Sequence, residues 1–386
     1  MLLRPRFALG GLLLLLLQSP PLAHGQASAS VQRWSLLERW RIGGEPDFPF
    51  AFEQAAHLIA LPDGGVLVGQ MQAGRLDWYD ATGRHLRSAG RLGAGPGEFR
   101  AISALARTPA GEILVSDEVL RRTTRLGPTG DVRSTTSDVA LVSLPALPVP
   151  VATPDAVFSA SRHFADGNPS ARLRRWSADL SRADTLALCG DVRVAPVIRR
   201  RGQAREVGTG APTMLVAQLE VAFTTIPGHR AVAPDGSLWS APDRSRPVLQ
   251  RTPVDGCDRV LATATLAGDR VPIPAALRDT TVARFRENVR QAEPPIPSER
   301  DIPSTFAWFE RLQVDAQGRL WVLRRTGAAQ YTFDVFSPQG EPVATLPLPS
   351  AILATRPIAI GPQFLYAFVK DADDLIYLAR WSIGMR

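Results

Sequence analysis

The chain has 386 residues, 45% hydrophobic and 21% charged, with 33 prolines, 31 glycines and two cysteines. That balance fits a folded domain and excludes a disordered, collagenous or disulfide-dense chain. The formal charge of +7 comes from arginines scattered among acids, Lys370 being the sole lysine, so a dedicated nucleic-acid surface is excluded as well.

Residues 1–25 have the three parts of an export signal: basic Arg4 and Arg6, an apolar core from Phe7 to Leu17, and the small-residue stretch Ala23-His24-Gly25. The apolar core is shorter than the roughly 20 residues a membrane-spanning helix needs. No cysteine lies near the cleavage site to carry a lipid, and no later segment is apolar enough to span a bilayer. Cleavage after Gly25 therefore predicts a soluble monomer, secreted or periplasmic, whose residues 26–386 form one domain.

Strand character begins at Trp34 to Ile42, which has no local partner. The best-formed repeat follows, from Phe52 to Arg91. Its first strand, His57 to Leu61, ends at the turn Pro62-Asp63-Gly64-Gly65, and Val66-Leu67-Val68 returns from it. Leu76-Asp77-Trp78-Tyr79 then leads to a second turn, Asp80-Ala81-Thr82-Gly83, and a last strand near His85. Glycine accepts the positive φ of these turns and aspartate caps its own turn. The connector Gly93-Ala94-Gly95-Pro96-Gly97-Glu98-Phe99 joins this repeat to the next, which turns at Pro109-Ala110-Gly111 and Pro128-Thr129-Gly130. A degenerate copy spans Pro154 to Cys189. Further copies turn at Asp235-Gly236 with Asp255-Gly256, and at Asp315 to Gly318 with Pro338-Gln339-Gly340. The last, Ile358 to Trp381, has only three strands, and residues 34–42 supply the missing one. Six four-stranded antiparallel blades result, an all-β, six-bladed β-propeller closed by its N-terminal strand.

Two segments break the period. Residues 191–221 read as a long loop in which Arg199-Arg200-Arg201 is solvated. Residues 268–303 hold a helix, Ala275 to Glu293, with Leu277, Val282, Phe285 and Val289 on a stripe expected to pack on the parent domain as a cap or lid. The cysteines point two ways. An even number in an exported chain favours a disulfide. The repeat register instead puts Cys189 and Cys257 at opposite edges of the disc, beyond the ~7 Å Cα separation a bridge allows.

The connector, the opening Arg41-Ile42-Gly43-Gly44, the Asp315 to Val322 turn and the helical insert resemble the exported bacterial six-bladed β-propeller family related to NHL repeats. The resemblance covers most of residues 32–386 and departs in blade three. It implies a fold and export more than an activity.

Both insertions and the connector are blade-to-blade segments and crowd one face, where loops on a rigid scaffold carry recognition. Seven residues before the first-turn glycine, the innermost strands carry His57, Ala104, His229 and Arg311, with Val149 in blade three and Arg356 in blade six. Glu98 and Arg100 reach the same channel mouth on the connector. This set predicts a non-catalytic binding module for an anionic small molecule, glycan or peptide, with arginine giving bidentate contacts and histidine tuning affinity with pH. The alternatives are a metal-assisted lyase or hydrolase in the central channel and a protein-interaction platform. No nucleophile elbow, zinc-protease helix, phosphate loop or Cys-x-x-Cys pair occurs, and no cofactor or resident metal is expected.

Overall fold

In the computed structural model the described residues are 31–44, 52, 55–71, 73–137, 151–165, 168–186, 230–242, 246–289 and 303–385, with strand pieces at 197–200, 204–205, 213–214, 217–218 and 292–293. They belong to the unit Val31–Arg386. The signal segment, His229 and Cys189 lie outside the described residues.

Blade one consists of Ala55–Ala60, Val66–Gln70, Arg75–Tyr79 and His85–Ala89, in spatial order and antiparallel throughout. Blade two repeats it with Ile102–Arg107, Ile113–Asp117, Arg122–Leu126 and Val132–Ser137. Blade three runs from Val151–Ala152 through the long hairpin Ala156–Ala165 and Asn168–Ser177 to Ala183–Thr185. Blade four is built from Arg230–Val232, Leu238–Ser240, Val248–Thr252 and Ala262–Thr265. Blade five comprises Arg311–Val314, Leu320–Arg325, Tyr331–Phe336 and Pro342–Pro347.

The sixth blade begins with Ile358–Ile360, Phe364–Lys370 and Ile376–Gly384, and its outermost strand is Ser35–Gly43. Ser35 pairs with Gly384 and Gly43 with Tyr377, so the two ends of the sequence close the ring as the unpaired strand predicts. The N-terminal segment does more than this. Gln32–Arg33 adds a parallel fifth strand to the outer edge of blade five.

The core sits between blades. Six apolar clusters each join two neighbours: Trp78 and Leu67 with Leu105 and Val115 between blades one and two, Val157 and Trp176 with Leu114 between two and three, and Phe158 with Val232 between three and four. Leu249 and Trp239 meet Leu320 between four and five, Phe333 and Trp321 meet Leu365 between five and six, and Tyr366 and Phe368 meet Val66 and Tyr79 across the closure. The alternation of strand residues explains this. Successive side chains point to opposite faces of a blade, and each face abuts a different neighbour. The hairpin turns take the predicted form, as at Gly64, which has φ +83° while Asp63 accepts the Gly65 amide at 3.0 Å.

The two insertions depart from expectation. Residues 191–221 are not all loop: Val197–Arg200 pairs with Ala217–Gln218 and with Ala292–Glu293 of the helical insert. The helix spans Ala275–Val289, and Leu277, the first residue of the stripe, is 42% exposed rather than packed on the parent domain. At its base, the insert closes on itself, with the Ile273 amide on Ser304 O at 2.9 Å and the Phe306 amide on Val271 O at 2.8 Å. Cys257 is disulfide-bonded, contrary to the separation inferred from the repeat register. No helix among the described residues is long and apolar enough to cross a membrane.

Candidate functional site

The innermost strands begin at the face that carries the connectors and insertions. Position 57 and its equivalents face the next blade around the ring. The ring of His57 is buried with Nε2 3.1 Å from the Ile102 carbonyl of blade two. A carbonyl can only accept, so Nε2 carries the proton. Burial holds the imidazole below its ordinary pKa, leaving it neutral at pH 7. Ala104, at the same register, packs against Val157 and Trp176 of blade three.

Arg311 obeys the same rule. Its half-buried guanidinium donates to Arg356 O at 2.9 Å, Thr355 O at 3.3 Å and Ala354 O at 3.5 Å, all on the approach to blade six. Desolvation lowers its pKa from the ordinary arginine value. Arg356 continues the chain of contacts, donating to Phe52 O at 2.9 Å and lying 4.6 Å over the Phe368 ring. Gln313, two residues on, donates to Ile358 O at 3.0 Å. The structure thus groups Arg311 with Arg356 at the junction of blades five, six and one, and His57 with Glu98 and Arg100 at the junction of one and two. Of these, His57, Arg311 and Arg356 bond carbonyls at the junctions between blades.

The connector is a rigid block. Glu98 accepts the Gly95 amide at 2.8 Å and Arg91 Nε at 2.7 Å, and these bonds, led by the amide, hold its carboxyl below the usual range. Gly97 has φ +71°, and a side chain at Gly93 would collide with Glu98, so the tight wrap needs both glycines. Two residues outside the predicted set clamp the block. Arg122 donates to Ala94 O, Gly95 O and Glu98 O at 3.0, 2.7 and 2.8 Å. Buried Asp117 accepts the amides of Arg100, Ala101 and Leu120 at 2.6, 3.2 and 2.8 Å. Their signal in the sequence is the position of Asp117 and Arg122 on either side of the middle loop of blade two, facing the connector.

Arg100 differs from the other predicted groups. It is exposed, immediately before the innermost strand of blade two, and its guanidinium meets no acid or carbonyl among the described residues. No group of three His, Cys, Asp or Glu among the described residues is arranged to hold a metal ion.

Blade count, strand order and ring closure define a six-bladed β-propeller. A member of the DUF4221 family from Bacteroides vulgatus superimposes with a TM-score of 0.51 at 8% identity, over 92% of this chain and 99% of its own. A Bacteroides fragilis protein assigned as exported gives 0.48 at 11% identity, over 94% and 98%. Virginiamycin B lyase from Staphylococcus aureus gives 0.40 at 11%, over 92% and 100%. Of these, the likeness to the DUF4221 member supports the fold and, at 8% identity, nothing beyond it. No family model and no curated protein matches the chain.

Proposed function

We propose that this propeller is an exported, non-catalytic binding module that takes an anionic small molecule, glycan or peptide at the channel mouth. The observation that carries the reading is Arg100. The clamped connector holds its backbone, while the guanidinium is exposed and unengaged among the described residues. A fixed fork of donors suits a carboxylate or sulfate. In this reading Arg311, Arg356 and His57 position the rim on which the ligand rests, and Glu98 sets the shape of the connector. The disulfide at Cys257 supports an oxidising compartment, secreted or periplasmic, together with the export-type leader.

The test is a thermal-shift screen of the mature protein against organic carboxylates, sulfated glycans and acidic peptides. Binding to the native state alone raises the unfolding temperature by mass action. An anion that stabilises the native protein should bind Arg100→Ala weaker by about 1.5–3 kcal/mol, the usual worth of a charge-assisted hydrogen bond. A panel that produces no shift, or shifts that survive in Arg100→Ala, refutes the reading.

A further inference from the structure

The connector block also carries an apolar surface. Among the described residues, the two most exposed large apolar side chains are Leu92, 64% exposed, and Val119, 60% exposed, and both belong to this block. Leu92 bridges to Phe99 beside Arg100, while Val119 lies in the middle loop that Asp117 and Arg122 fasten to the connector. Two more exposed apolar residues sit on segments packed against the block. Met71 opens the blade-one loop whose Gly74 abuts the Phe99 and Arg91 carbonyls, and Val132 lies against Gly97. These four side chains sit on segments bonded or packed against one another, and exposed apolar side chains gathered in one region favour an interaction site.

We infer that the block docks an extended peptide segment of a partner protein in which acidic side chains alternate with apolar ones. The inference rests on the anion reading above and narrows it to one ligand class. Arg100 supplies the charge complementary to the acid. Leu92 and Val119 protrude, and a small molecule buries most of its surface only in a concave pocket, whereas a peptide can cover a raised surface. Polar backbone recognition is weak here, because Arg122 occupies the carbonyls of Ala94, Gly95 and Glu98 and the carboxylates of Glu98 and Asp117 occupy the amides of Gly95, Arg100, Ala101 and Leu120. Side chains are left to select the ligand. The block is already bonded into shape, so little ordering cost accompanies binding.

The experiment measures fluorescence anisotropy of two labelled peptides, Leu-Glu-Leu-Glu-Val and Ser-Glu-Ser-Glu-Ser, on the mature protein. The apolar acidic peptide should bind about tenfold tighter than the polar one, and the combined Leu92→Ser, Val119→Ser variant should abolish that difference. Arg100→Ala should weaken both peptides about tenfold. All these positions are exposed, and unchanged thermal unfolding verifies that the variants fold. Equal affinity for the two peptides, an unaffected double variant, or no binding of either peptide overturns the peptide inference. The anion reading then stands or falls by the thermal-shift screen. Retained binding in Arg100→Ala overturns both. A concentration-dependent dimer in sedimentation, lost in the double variant, would replace the peptide by a second copy of this chain and overturn the inference.

Discussion

Arg311 and His57 illustrate what a single register position does in this ring. Truncating Arg311→Ala removes the donors for the carbonyls of Ala354, Thr355 and Arg356, so stability should fall by about 1–3 kcal/mol in urea titration. A variant as stable as the native protein would mean that water replaces the guanidinium without loss. His57 gives a pH signature. Its folded pKa lies below the unfolded value of 6.5, so the unfolded chain takes up a proton that the folded one refuses as pH falls. The contribution is complete above about pH 6.5 and is lost on acidification towards the folded pKa. Urea midpoints should therefore drop between about pH 7.5 and 5.5, and His57→Gln should drop less; equal drops would dismiss the assignment. The shared height of His57, Ala104 and Arg311 was legible in the sequence, because the turn glycines set a common origin. Which neighbour each side chain faces was not, since one residue of parity separates the next blade from the previous one. Leu312 and Gln313 make the point: Leu312 packs towards blade four, while Gln313 bonds blade six.

At the scale of elements, the N-terminal segment and the helical insert play opposite parts. Residues 31–43 bind two blades. Trp34 is buried against Trp321 at 5.7 Å, and Arg319 lies 5.4 Å over its ring. Ser35–Gly43 then completes blade six. Trp34→Ala should cost about 3–5 kcal/mol, the range for large aromatic truncations in cores, measured by chemical denaturation. A change under about 1 kcal/mol would demote the clasp to a surface contact. The insert should behave differently. Its neck is paired at residues 271–273 and 304–306, its helix exposes Leu277, and Ile273 and Phe306 seal the base. Replacing residues 274–303 by a short glycine-serine linker should leave cooperative thermal unfolding in place; global unfolding would assign the helix to the core. The closing strand was readable because blade six lacked one. The two-residue parallel addition at Gln32–Arg33 and the exposure of Leu277 on the helix were not, because both depend on which surfaces lie nearby rather than on local period.

Across the whole molecule, one contact repeats among the described residues at four blade junctions, and three of its four donors are arginines. Trp40 Nε1 donates to Ala81 O at 2.8 Å, Arg87 to Pro128 O at 2.6 Å, Arg125 to Ala178 O at 2.6 Å and Arg251 to Pro338 O at 2.9 Å. Every acceptor is the second residue of the outer turn of the next blade. Three arginines from three different blades thus join neighbouring blades, consistent with the scatter of positive charge along the sequence. Arginine suits the task because its planar fork reaches several acceptors at once. Arg125 also pairs with Glu112, Arg251 also bonds Asp235 and Ser237, and Arg87 stacks 4.8 Å from the Trp78 ring. Lysine carries the same charge on a point donor and cannot hold both ends. Replacing Arg87, Arg125 and Arg251 together by lysine should preserve net charge yet lower stability by about 0.5–1.5 kcal/mol per site. The loss should persist in high salt, because a carbonyl acceptor has no net charge to screen. If the triple lysine variant instead unfolds at the native temperature, charge alone suffices and the fork geometry is incidental; if its deficit vanishes in salt, the lost contacts are ion pairs within blades rather than carbonyl staples between them.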